Sequence, residues 1–70
     1  MQNNNKLNEI LIKEGIRKSD LVKISGLSSS TISKIADFKM IPSVITQSKI
    51  TNSINNIVKK EKYIIDDFNF

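Results

Sequence analysis

The chain has 70 residues, 39% of them apolar, so it holds one domain at most, and a chain this short removes only roughly 60% of its unfolded surface from water. Thirteen isoleucines and four leucines suffice for a small core, while the absence of cysteine excludes disulfide staples and thiolate metal sites, and the absence of histidine removes the commonest general base. Eleven Lys and Arg stand against seven Asp and Glu, a net charge of +4. All eleven cations fall within residues 1–62, and two of the acids, Asp66 and Asp67, lie in the last eight residues.

The opening MQNNNK is polar and no long apolar run follows, so a soluble, cytoplasmic protein is expected, with no signal peptide and no membrane span. Residues 1–5 read as a flexible arm. From Lys6, apolar residues at Leu7, Ile10 and Leu11 trace one helical face that ends at Gly15, a residue suited to a helix C-cap. Ile16 follows and is expected to point inward. A second short helix starts at Arg17 or Ser19, carries Leu21 and Ile24 inward, and stops at Gly26. Leu27 sits alone in the connection. Ser28 can then cap a third helix by accepting from the amide of Ser30 or Thr31. Ile32, Ile35 and Phe38 supply its apolar face.

Pro42 rejects a helical Ile41, so residues 39–43 form a loop. Ser43 can cap a fourth helix, with Val44, Gln47, Ile50, Thr51 and Ile54 inside and a break or new cap at Asn55-Asn56. The apolar residues between Ile57 and Phe68 fit a fifth helix, and Tyr63-Ile64-Ile65 fit a short strand equally well. The fold class expected is all-α: four or five helices, with a domain over residues 6–54 and an extension over 55–70. The core assigned to it is Leu7, Ile10, Leu11, Leu21, Ile24, Leu27, Ile32, Ile35, Ile50 and Ile54.

With Ile32 and Ile35 inside, Ser29, Ser30, Ser33, Lys34 and Asp37 share the opposite face of the third helix. Short polar side chains with one cation, behind a tight glycine turn and a short helix, make a shape that fits a DNA major groove. The bland alternative is a solvated helix surface. For Lys13, Lys23, Lys49, Lys59, Lys60 and Lys62 taken singly, solvated charge is the better reading. No catalytic constellation emerges: the serines lack an activating base, and no ligand cluster could hold zinc. No enzyme activity, cofactor, metal or small-molecule ligand is expected.

Residues 15–43, GIRKSDLVKISGLSSSTISKIADFKMIPS, resemble the helix-turn-helix of the Cro and lambda-repressor type, the XRE family. The matching positions are Gly15, Leu21, Gly26, Leu27, Ser28, Ser30, Thr31, Ile32, Ser33, Ile35, Pro42 and Ser43. The resemblance implies a lambda-repressor-like fold and a small transcriptional regulator, repressor-like, binding double-stranded DNA with residues 28–37 as recognition helix. It implies phosphate contacts at Lys18, where the family usually has Gln, and at Ser28, and base-facing positions at Ser29, Ser30, Ser33 and Lys34. Thr31 lies within the same motif, and Arg17 and Lys39 flank the proposed face. The sequence departs from the pattern at Val22, which replaces Ala, and at Ala36 and Phe38, which replace Glu and Gly. Base-facing Arg, Asn and Gln, the side chains of bidentate readout, are absent.

A homodimer is the expected working form, joined through Ile57, Val58, Ile64, Ile65 and Phe68, against the alternative that this tail folds onto its own core. The rival function is a protein-interaction module, antitoxin-like or a phage-encoded inhibitor, that keeps the fold without reading DNA.

Overall fold

Three of the four helices end in the same local device, in which a residue with left-handed backbone turns the chain so that two amides close on the last turn. In the computed structural model, which describes residues 4–70, the helices are α1 (Leu7–Glu14), α2 (Lys18–Ser25), α3 (Ser29–Ala36) and α4 (Val44–Val58), followed by a 3₁₀ turn at Ile65–Phe68. After α1, Gly15 (φ 69°) donates to the carbonyl of Ile12 and Ile16 to that of Leu11. After α3, Phe38 (φ 63°) and Lys39 donate to Ile35 and Lys34, and after α4, Lys59 (φ 63°) and Lys60 donate to Asn56 and Asn55. Glycine takes this conformation without cost, whereas a side chain there costs about 1–2 kcal/mol.

The core consists of Leu7, Ile10, Leu11, Ile16, Leu21, Ile32, Ile35, Ala36, Ile50, Ile54 and Phe68. Helix α2 packs on both α3 and α4, α1 packs on α3, and the 3₁₀ turn packs on α4. The architecture is all-helical, with no strand among the described residues. Two expected core positions differ. Ile24 is 46% exposed, because α2 turns Leu21, Val22 and Ser25 inward and leaves Ile24 beside that face. Leu27 is half-buried at the rim. Val44 is 71% exposed rather than inside, since the inner stripe of α4 begins at Gln47. Phe38 stands beyond the end of α3 and is 44% exposed, so the helix contributes Ile32, Ile35 and Ala36 to the core.

Three polar residues hold what the apolar pattern leaves open. Asn5 is buried: its Oδ1 accepts from the amide of Leu7 at 2.9 Å and its Nδ2 donates to the carbonyl of Ile35 at 2.8 Å. It therefore belongs to the packed domain and ties the start of α1 to the end of α3; residues 1–3 of the expected arm lie outside the described residues. Asn55 does not break the fourth helix, which runs on to Val58. Its side chain accepts from the amides of Lys62 (3.1 Å) and Tyr63 (2.9 Å) and donates to the carbonyl of Tyr63 (2.8 Å), so it binds the returning chain by both ends of its amide. Glu14 is the third. Its Oε2 accepts from Lys62 Nζ at 2.7 Å and from the Tyr63 hydroxyl, which clamps the extension to α1.

Phe68 completes the closure. It is fully buried, stacked on Phe70 with ring centroids 5.3 Å apart and tilted against Tyr63 at 5.8 Å, while its carbonyl accepts from the amide of Lys6 at 2.7 Å. Ile57 and Val58 pack against the same core, Ile65 is half-buried, and only Ile64 of the expected dimer residues is largely exposed. The extension is thus the lid of its own domain, and Phe68 is not available to a second copy.

Candidate functional site

Helices α2 and α3 are joined by residues 26–28 alone. Gly26 (φ 76°) closes α2 by donating to the carbonyl of Val22 at 3.1 Å, and the amide of Leu27 donates to Ser25 Oγ at 3.1 Å. Ser28 has extended backbone and caps α3, its Oγ accepting from the amide of Thr31 at 3.1 Å. The same Oγ donates to Thr31 Oγ1 at 2.9 Å. The Ser28 hydroxyl is therefore engaged within the cap, and the groups left to an external acceptor are the Thr31 hydroxyl proton and the amides of Ser29 and Ser30. An identical pair, Ser43 and Thr46, starts α4, with Oγ–Oγ1 and N–Oγ distances of 3.1 and 3.3 Å. The Ser-x-x-Thr spacing thus stands at both of these helix starts; its third occurrence, Ser48–Thr51, lies inside α4.

Burying Ile32, Ile35 and Ala36 leaves Ser29, Ser30, Lys34 and Asp37 exposed and Ser33 half-buried. The side chains of Ser29, Ser30 and Ser33 make no hydrogen bond among the described residues, so this face carries hydroxyls able both to donate and to accept. Lys18, Lys34 and Lys39 are exposed and form no ion pair among the described residues. Arg17 differs: it precedes α2, its amide donates to Asp20 Oδ2 at 3.3 Å, and its Nε lies 3.6 Å from the same oxygen. Asp20 thus caps α2 and partly neutralises Arg17. The pairing is solvent-exposed and weak, so it restrains the guanidinium without fixing it.

The arrangement places a thin polar helix face, one turn after a second helix, with Lys18 at the start of α2, Lys34 on α3 and Lys39 just past it. Chemically it can donate and accept hydrogen bonds and attract an anion. No group of three acidic residues able to hold a metal occurs among the described residues, and no helix among them is long and apolar enough to cross a membrane.

Charge chemistry is concentrated elsewhere, at residues where the sequence offers only solvated charge for Lys62 and a helix or strand for Tyr63. The Lys62 ammonium and the Tyr63 hydroxyl, both bonded to Glu14, hold its carboxyl below the usual range. The bond to Glu14 in turn pushes the Tyr63 hydroxyl up to about 12. Glu14 lies 48 and 49 residues from Lys62 and Tyr63, a separation that no local pattern announces. Comparison of the chain with protein-family models, with curated proteins and with solved structures returns no match.

Proposed function

We propose that this protein binds double-stranded DNA by laying α3 in the major groove, as a small transcriptional regulator with a lambda-repressor-like helix-turn-helix. The carrying observation is the outward face of α3, Ser29, Ser30, Ser33 and Lys34, set behind the three-residue turn from α2. Lys18, Lys39 and the partly paired Arg17 supply phosphate contacts that fix position, and the serines and Lys34 meet base edges. Serine accepts and donates to either base, so direct readout by this face is permissive, and part of the selectivity falls to the shape and stiffness of the DNA. The net charge of +4 supports the attraction.

The test is binding to a generic AT-rich duplex at two salt concentrations, with Lys18→Ala and Lys34→Ala alongside. Affinity should fall steeply with salt. Lys18→Ala should weaken all sequences alike and reduce the slope of log K against log salt by about one. Lys34→Ala should weaken a selected site more than random DNA. Salt-insensitive or undetectable binding in every case refutes the proposal and favours the protein-interaction module, to which the lack of Arg, Asn and Gln on α3 also belongs.

A further inference from the structure

Seven acidic residues occur in the chain, and their places in the fold set one of them apart. Glu9 lies in the first turn of α1 and Asp20 in that of α2, where the positive end of the helix dipole favours an anion. Asp66 and Asp67 open the 3₁₀ turn, and Asp67 Oδ2 accepts from the amide of Ile64 at 2.8 Å. Glu14 ends α1, an unfavourable place for an anion, but the Lys62 ammonium and the Tyr63 hydroxyl compensate it. Glu61 is exposed in the extension, outside any helix. Asp37 is the acid left uncompensated at the negative end of a helix. It caps the C-terminus of α3, it is exposed, and its side chain forms no hydrogen bond or ion pair among the described residues. Its carboxylate therefore costs the fold rather than serving it.

The same carboxylate lies on the face proposed to meet DNA. It follows Lys34 by three residues and Ser33 by four, which makes the three neighbours on the helix surface. Helix α3 has eight residues and is about 12 Å long, no more than the roughly 12 Å width of a major groove. With α3 seated in the groove, Asp37 stands inside it or against its phosphate wall. An ionised carboxylate only accepts hydrogen bonds, so phosphate, the N7 and O6 edge of guanine and the O4 of thymine all repel it. Adenine offers an amino donor with the acceptor N7 beside it. Cytosine offers its N4 amino group with no acceptor of its own beside it in the groove.

We propose that Asp37 is a specificity-determining residue that, together with Lys34, selects G·C pairs beneath the last turn of α3. The Lys34 ammonium donates to guanine O6 or N7, and the Asp37 carboxylate accepts from a cytosine amino group. At any other sequence the carboxylate is left unpaired in a strongly negative groove, so it acts mainly by weakening binding to wrong sites. This role rests on the DNA reading proposed above and gives it a preferred base pair. The serine hydroxyls add affinity at any base, because they both donate and accept. Lys34 and Asp37 are the two groups of the face with a fixed hydrogen-bonding sense, one donor only and one acceptor only.

The experiment selects duplexes from a randomised pool with the full chain, then measures affinity for the selected duplex and for random duplex at one salt concentration. The wild type should enrich a G·C pair at one position or more. Asp37→Asn should bind random duplex about two- to fivefold more tightly, the effect of removing one exposed like charge. Its preference for the selected duplex should fall at least about fivefold, the loss of one base contact. Its thermal melt should equal or exceed that of the wild type, since the dipole of α3 opposes the anion. Glu61→Gln makes the same change of charge away from α3 and should keep both the enriched pair and the discrimination. An Asp37→Asn variant that enriches the same pair with the same discrimination overturns the role of Asp37 and leaves DNA binding in place. So does one that gains no more affinity for random duplex than Glu61→Gln does, or one that melts lower, which would give Asp37 to the fold. A wild type that binds duplex without selecting also overturns this role, and one that binds no duplex overturns the DNA reading with it.

Discussion

Truncating Phe68 to alanine tests whether the last residues are part of the core. The ring is fully buried and lies between Tyr63 and Phe70, with centroids 5.8 and 5.3 Å away. Removing a buried phenylalanine costs about 3–5 kcal/mol, through lost transfer energy and the cavity left behind. At about 0.05–0.15 kcal/mol per residue, a chain of this length has roughly 3.5–10 kcal/mol in total. The substitution therefore takes about three-tenths of the stability at least and can take all of it. In a domain this small each kcal/mol moves the midpoint by about 4–8 °C, so the loss should appear as a drop in Tm of at least 12 °C by circular dichroism. Ile12→Ala, on the exposed side of α1, should change stability by less than about 0.5 kcal/mol under the same conditions. A Phe68→Ala protein melting within about 4 °C of the wild type would refute the packing described, and with it the conclusion that the extension closes its own domain.

Asn55→Ala should cost about 2–3 kcal/mol in urea unfolding, because the amides of Lys62 and Tyr63 lose their acceptor in a partly buried site. Lys59→Gly should raise stability by about 1 kcal/mol by relieving the left-handed backbone after α4, and the gain is read in the same unfolding experiment. The Tyr63 hydroxyl, raised from 10.0 to about 12, contributes stability that is present below pH 10 and is lost as pH rises toward 12. The Glu14 carboxyl is held low, so its contribution is present above its ordinary pKa near 4.5 and disappears as pH falls through the lowered value. Glu14→Gln should therefore flatten the stability profile at both ends, and Tyr63→Phe should remove the tyrosine part of the alkaline loss while Lys62 still holds Glu14.

Most of the helical frame was legible because it rests on local chemistry. Gly15 and Gly26 mark two ends, Ser28 and Ser43 mark two starts, and the isoleucine spacing picks the buried side of α3. Local reasoning failed where a residue answers to something distant. Asn55 looked like a helix break because asparagine favours turns, yet its amide serves backbone groups seven and eight residues on. Asn5 looked like arm because its partner, the Ile35 carbonyl, is 30 residues away. Phe38 looked like a continuation of the apolar stripe because the residue that ends α3 is not glycine. The tail resisted assignment for the same reason: its lid role depends on Phe68 reaching the core and on Glu14 receiving Lys62 and Tyr63, contacts that no periodicity encodes.

The position of α3 explains how its outer face can serve a partner without serving the fold. Its start is held by the Ser28–Thr31 pair, its end by the turn at Phe38 and Lys39, and its last carbonyls also by Asn5. Its inward side is Ile32, Ile35 and Ala36. Ser29, Ser30 and Ser33 take no part in any of this, and serine in a helix is at best neutral for stability. Replacing each by alanine should leave the melt unchanged or raise it slightly, since alanine is the better helix former. Any loss of binding in such a variant is then a loss of contact with the partner, free of the folding effects that cloud substitutions at Ser28 or Thr31. A triple alanine variant that melts normally and still binds DNA with unchanged affinity and selectivity would remove α3 as the reading element, leaving the lysines to hold DNA without regard to sequence.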